Sequence, residues 1–138
     1  MKNIFNFFIL FLFSQVGFSQ TVVEKDTISS DDNKIYNSAG IEIKPEYPGS
    51  IAEFYKFIGN NFKVPNNINF KGGKVLVSFV IEKDGTLTDI KVLRDVGFNT
   101  GKEAERILKL CEVWKPAEQN GQYVRCSYVL PITLIPTK

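Results

Sequence analysis

An α+β fold is predicted, with a three-stranded antiparallel sheet carrying two helices on one face. Three observations predict it. Residues 74–82 and 86–94 alternate apolar and polar side chains on either side of Lys83-Asp84-Gly85, which is the pattern of a β-hairpin. Residues 50–62 and 101–113 each carry a single apolar stripe at helical spacing. Residues 123–134 alternate again after the second helix. Two striped helices must bury their stripes, and one sheet face is the place to do so.

The N-terminus comes first in chain order. Lys2 leads into Ile4-Phe5-Asn6-Phe7-Phe8-Ile9-Leu10-Phe11-Leu12-Phe13, and Gly17-Phe18-Ser19 supplies small residues at a cleavage site. Residues 1–19 are therefore expected to be a signal peptide cut after Ser19, which places the protein in a periplasm. The alternative is an inner-membrane anchor through residues 4–18. That stretch has fifteen residues and contains Asn6, Ser14 and Gln15, whereas a spanning helix needs about 20 mostly apolar ones. No cysteine stands at the cut, which argues against a lipoprotein.

Residues 20–44 are expected to be a flexible lead-in. The first fifteen, QTVVEKDTISSDDNK, are polar and without period, and two short extended pieces then flank Asn37-Ser38-Ala39-Gly40. The domain is expected over residues 45–138. Pro45 and Pro48 bracket Glu46-Tyr47 and stiffen the approach to the first helix. Ser50 and Glu53 form a capping-box pattern there, and Ile51, Phe54, Tyr55, Ile58 and Phe62 make the stripe. In the hairpin, Val75, Val77, Phe79 and Ile81 share the core face with Ile90 and Val92. Thr100 is the expected cap of the second helix, whose stripe is Ala104, Ile107, Leu108 and Cys111. Trp114 and Pro116 end that helix, and Asn120-Gly121 is a turn into the last strand. Pro131 marks that strand as an edge, because proline has no N–H to give to a ladder.

Composition narrows the function. The chain has 138 residues, 43% of them hydrophobic and 23% charged, which suits one globular domain. Its formal charge is +2 from 17 basic and 15 acidic residues. Cleavage after Ser19 would remove Lys2 and leave 16 − 15 = +1. So near a balance gives no electrostatic reason to expect nucleic acid as a partner. There is no histidine, so the commonest general base and the usual zinc ligands are missing. No nucleophile stands beside a base, and no glycine motif suits a phosphate. Glu82, Asp84, Asp89 and Asp95 lie around a turn and read as solvated charges. The protein is expected to be no enzyme, to need no cofactor or metal and to take no small-molecule substrate.

The strings in the chain resemble those of TonB C-terminal domains. Pro45-Glu46-Tyr47-Pro48-Gly49 is similar to an element that precedes the first helix of that family, although Ser50 stands where a second glycine is usual. Gly73-Lys74-Val75, Val80-Ile81-Glu82-Lys83-Asp84-Gly85 and Ile90-Lys91-Val92-Leu93 resemble its hairpin. Trp114-Lys115-Pro116-Ala117-Glu118-Gln119-Asn120-Gly121, with Val124-Arg125 and Leu130-Pro131-Ile132, resembles its passage into the last strand. The resemblance implies a module that grips the TonB-box peptide of an outer-membrane receptor as an added strand, in support of TonB-dependent transport. TonB itself has an uncleaved anchor and a long proline-rich linker. Here the lead-in has about 25 residues and reaches at most ~85 Å. The alternative function is therefore a soluble periplasmic regulator or decoy, which uses the same edge on another protein without passing energy.

Carried onto this chain, the docking edge is Tyr123, Val124, Arg125, Cys126, Ser127, Tyr128, Val129 and Leu130. Pro45, Tyr47 and Pro48 either contact a partner or pack the approach segment onto the domain. Trp114 either anchors an interface or completes the core. Cys111 and Cys126 both fall on core faces, and either form a disulfide, worth ~3 kcal/mol, or remain buried thiols. The face opposite the core carries Leu76, Val80, Leu87, Leu93 and Val129. It is open as a homodimer or partner surface, or is covered by residues 35–44.

Overall fold

The structure, a computed structural model, describes residues 32–137. The expected signal peptide, the alternative anchor and residues 20–31 of the lead-in lie outside the described residues. Among those described, no helix is long and apolar enough to cross a membrane.

The elements in order are β1 (Ile35–Asn37), α1 (Ile51–Asn61), β2 (Gly73–Ile81), β3 (Leu87–Arg94), α2 (Thr100–Leu110), β4 (Ala117–Gln119) and β5 (Gln122–Leu134). The α+β class holds, but the sheet is larger than three strands. It has five and is mixed, in the order β1-β5-β2-β3 with β4 paired to β5. The three long strands are antiparallel, with β2 between β3 and β5. β1 runs parallel to β5. The two extra strands have three residues each, too short to show a period of two.

α1 begins where the capping box places it. Ser50 Oγ accepts from the Glu53 N–H at 3.4 Å. Ser50 itself has φ 153°, a backbone region that favours glycine and so matches the glycine usual at this position. At the other end Arg106 Nη2 donates to Asn61 O at 2.9 Å, and Glu103 Oε1 accepts from Lys63 N–H at 2.8 Å. α2 thereby satisfies a carbonyl left open at the end of α1 and an N–H just past it. Thr100 does not cap α2 from outside but is its first residue; Asn99 is the N-cap. The Thr100 hydroxyl donates to Gly97 O at 2.7 Å. α2 also stops at Leu110, earlier than expected, because the chain must turn to bring Trp114 inward.

Both helices bury their stripes on the same sheet face. Phe54, Ile58, Phe62, Ala104, Ile107 and Leu108 pack against Val75, Val77, Phe79, Ile81, Leu130 and Ile132. Trp114 is the centre of an aromatic group, with ring centroids 4.8 Å from Phe54, 5.5 Å from Tyr128, 5.6 Å from Tyr47 and 5.9 Å from Phe79. Trp114 completes the core. Its backbone N–H donates to Gly85 O at 2.9 Å. At Gly85, φ is 83°, and a Cβ would lie 1.8 Å from Trp114 O. Only glycine fits this hairpin turn against the tryptophan backbone.

A bulge corrects the reading of β3. The register shifts opposite Phe79, where Asp89 takes φ 49°. The extra residue lets Leu87, Ile90 and Val92 all reach the core. Leu87 therefore does not belong to the opposite face. On that face Val80 is buried, whereas Leu93 and Val129 are more than half exposed. Residues 35–37 lie beside β5 in the plane of the sheet, while Ile43 and Glu46 bridge to Glu118 and Lys115.

Candidate docking edge

β5 is the strand on which the expected site sits, and its two halves have different neighbours. Residues 126–134 pair with β2. Tyr123 and Val124 pair with Glu118 and Ala117 of β4. Arg125, Cys126 and Ser127 pair with Ile35, Tyr36 and Asn37 of β1. The expected edge was Tyr123 to Leu130, so five of its eight residues already have a strand partner besides or instead of β2. Beyond Ser127, the described residues offer β5 no partner strand other than β2.

Orientation along this edge follows from one hydrogen bond. Ser38 N–H donates to Ser127 O at 3.2 Å, so the Ser127 carbonyl faces away from β2. Backbone groups alternate sides along a strand. Arg125, Val129, Pro131 and Thr133 therefore turn theirs the same way. Pro131 stands opposite Leu76 of β2 without breaking that ladder, since its missing N–H points outward. The Pro131 carbonyl accepts from the Tyr55 hydroxyl at 3.4 Å, so α1 flanks the open edge. Ile51 and Tyr55, one helical turn apart, are each 42% exposed beside it.

The start of β5 is tied to β2 by charge. Arg125 Nε and Nη2 donate to the two carboxylate oxygens of Glu82 at 2.7 and 2.9 Å. This fork and the Thr88 hydroxyl hold the Glu82 carboxyl below its ordinary value, against the opposing effect of burial. Arg125 Nη1 also donates to Asn33 O at 3.2 Å.

The remaining expected residues are elsewhere. Pro45 and Tyr47 are buried, and Tyr47 packs on Phe54 and Trp114, so both pack the approach segment onto the domain. Pro48 is exposed. Both cysteines are free thiols, the second of the two states the sequence leaves open. Cys111 lies against the main core at the end of α2, and Cys126 belongs to a second cluster with Ile41 and Ala117. Burial pushes the Cys126 thiol up to about 11, which makes it a weak nucleophile. Among the described residues, no group of three or more His, Cys, Asp or Glu side chains could hold a metal ion.

β1 and β4 were missed from sequence. β4 had a signal, because Asn120-Gly121 is the dipeptide of a two-residue hairpin loop. Both residues adopt positive φ, 52° and 73°, as such a loop demands. β1 had only the extended pieces around Asn37.

Residues 61–134, just over half of the chain, match the family described as Gram-negative bacterial TonB protein C-terminal. The chain belongs to this family. A comparison with curated proteins found no match. The matched span contains β2, β3, α2, β4 and β5, and so the whole of the open edge.

Proposed function

We propose that this protein is a periplasmic TonB-like binding module. It engages the TonB-box peptide of outer-membrane transporters by strand addition to β5 and so supports TonB-dependent uptake. The observation that carries the reading is the unpaired side of β5 past Ser127, whose outward N–H and C=O groups an extended peptide would satisfy. Family membership points to a non-enzymatic protein-interaction role in transport. The exposed Ile51 and Tyr55 beside the edge give side chains of an added strand an apolar surface.

Titration with synthetic peptides from the N-terminal segments of the same organism's outer-membrane transporters tests this. Saturable binding with NMR shifts along residues 125–134 is expected. Val129→Pro should abolish it. The Val129 N–H faces outward, so proline there removes a docking group and spares the ladder with β2. Binding that survives Val129→Pro would sink the reading.

A further inference from the structure

The open edge is interrupted where it is bare and continuous where it is covered. Strand addition needs an N–H and a C=O on every second residue. Past Ser127 the outward residues are Val129, Pro131 and Thr133. Pro131 has no N–H, and its carbonyl already accepts from Tyr55. Complete pairs remain only at Val129 and Thr133, four residues and about 13 Å apart. The unbroken run is Arg125, Ser127 and Val129, and β1 sits on the first two.

β1 is lightly held. It has three residues in register with β5, against nine for β2. Ile35 is 43% exposed. Besides the ladder, the contacts of this segment include Ser127 Oγ donating to Tyr36 O at 3.2 Å, Arg125 Nη1 donating to Asn33 O at 3.2 Å, Lys34 Nζ over the Tyr36 ring at 4.6 Å and an exposed ion pair of Lys83 with Asp32. Such surface pairs add little. The inward anchor is half-buried Tyr36, against the small cluster of Ile41, Ala117 and Cys126. A tight turn follows at once, with Gly40 N–H donating to Asn37 O at 3.1 Å and Ala39 N–H to Asn37 Oδ1 at 2.8 Å. β1 can leave the edge by movement at this turn while Ile41 stays buried.

We propose that β1 is a stand-in strand, displaced when the partner peptide docks along Arg125, Ser127 and Val129. The proposal rests on the docking reading above and adds its regulation. A peptide that must evict β1 binds with an apparent affinity reduced by the fraction of chains in which β1 is off. The chain would thus tune the affinity of its own edge.

Ser38→Pro in the whole chain tests it. Ser38 is the second residue of the Asn37-to-Gly40 turn, a position where proline is favoured. The change deletes the Ser38-to-Ser127 hydrogen bond and little else. Transporter-derived synthetic peptides should bind this variant about 2- to 10-fold more tightly, the worth of one net hydrogen bond. Tyr36→Pro, which removes a ladder N–H from β1, should act in the same direction. In the wild-type complex the amides of Tyr36 and Ser38 should lose protection from hydrogen exchange. Equal affinity for all three forms, with those amides still protected in the complex, would show that the peptide docks beyond β1 and would overturn the proposal alone. Failure of every form to bind any peptide would overturn the docking reading and this proposal together.

Discussion

The second half of β5 lies over a deep core, and the first half over a shallow one. Leu130, Ile132 and Leu134 belong to the main cluster, which also contains Trp114, Phe54, Phe79 and both helices. Cys126 belongs to a cluster whose other buried members are Ile41 and Ala117. The deep half has the bare edge; the shallow half is the one covered by β1. A cover that comes away needs weak support, and β1 lies on the half with the shallower packing behind it. On the proposal above, the peptide would enter along that half and reach the deeply supported strand only from Val129 onward.

The largest expected effect comes from removing the deep support. Phe54 is fully buried and contacts Tyr47 and Trp114, with centroids 4.8 Å from each. Phe54→Ala should cost about 3–5 kcal/mol, the range for an aromatic cavity in a core. Denaturant melts should show one cooperative transition moved to lower concentration. A cost under about 1 kcal/mol would mean that the deep half is not the support described here.

Ile41→Ala is the matching change in the shallow cluster and should cost less, about 2 kcal/mol. Ile41 is 8% exposed and has few buried neighbours. The effect should also be local. Amide exchange should quicken in β1 and β4 and stay unchanged in β2 and β3. Uniform quickening over all five strands would remove the distinction between the two clusters.

The deep half is also the half that could be read from sequence. Its strands are long enough to show alternation over nine, eight and thirteen residues, and its helices carry full stripes. Leu87 was misplaced because a single bulged residue, Asp89 at φ 49°, reverses the face of everything before it. The shallow half was hidden for a different reason. Ile35–Asn37 and Ala117–Gln119 have three residues each, and their identity as strands lies in partners 90 residues away or across a tight loop. Resemblance singled out β5 as the candidate edge, since it concerns β5 itself. It did not show that the edge is shared with β1, because that pairing depends on a segment upstream of the matched residues.

The smallest expected effect lies at the junction of the two halves. Glu82 accepts from Arg125 through both oxygens, and Arg125 reaches on to Asn33 beside β1. The carboxyl is held below its ordinary value of 4.5, chiefly by the hydrogen bonds from Arg125, while the nearby Asp84 pushes it the other way. A carboxyl depressed in the folded state contributes stability above its unfolded pKa and loses it as pH falls through the folded one. The stability difference between wild type and Glu82→Gln should therefore be full at neutral pH, at most about 1 kcal/mol for a pair this close to solvent. It should shrink below pH 4.5 and vanish once Glu82 is protonated. Glu103 is depressed by Arg106 in the same way, but it is present in both proteins and cancels from the difference. Lys83 and Asp32 also lie at this corner and are unchanged by the substitution. If Arg125 carries the charge pair into the cover, protection of the β1 amides should fall over the same acid range in wild type and be lower throughout in Glu82→Gln. A pH-independent difference would mean that Glu82 acts only by shape, and that the two halves of β5 are joined by packing alone.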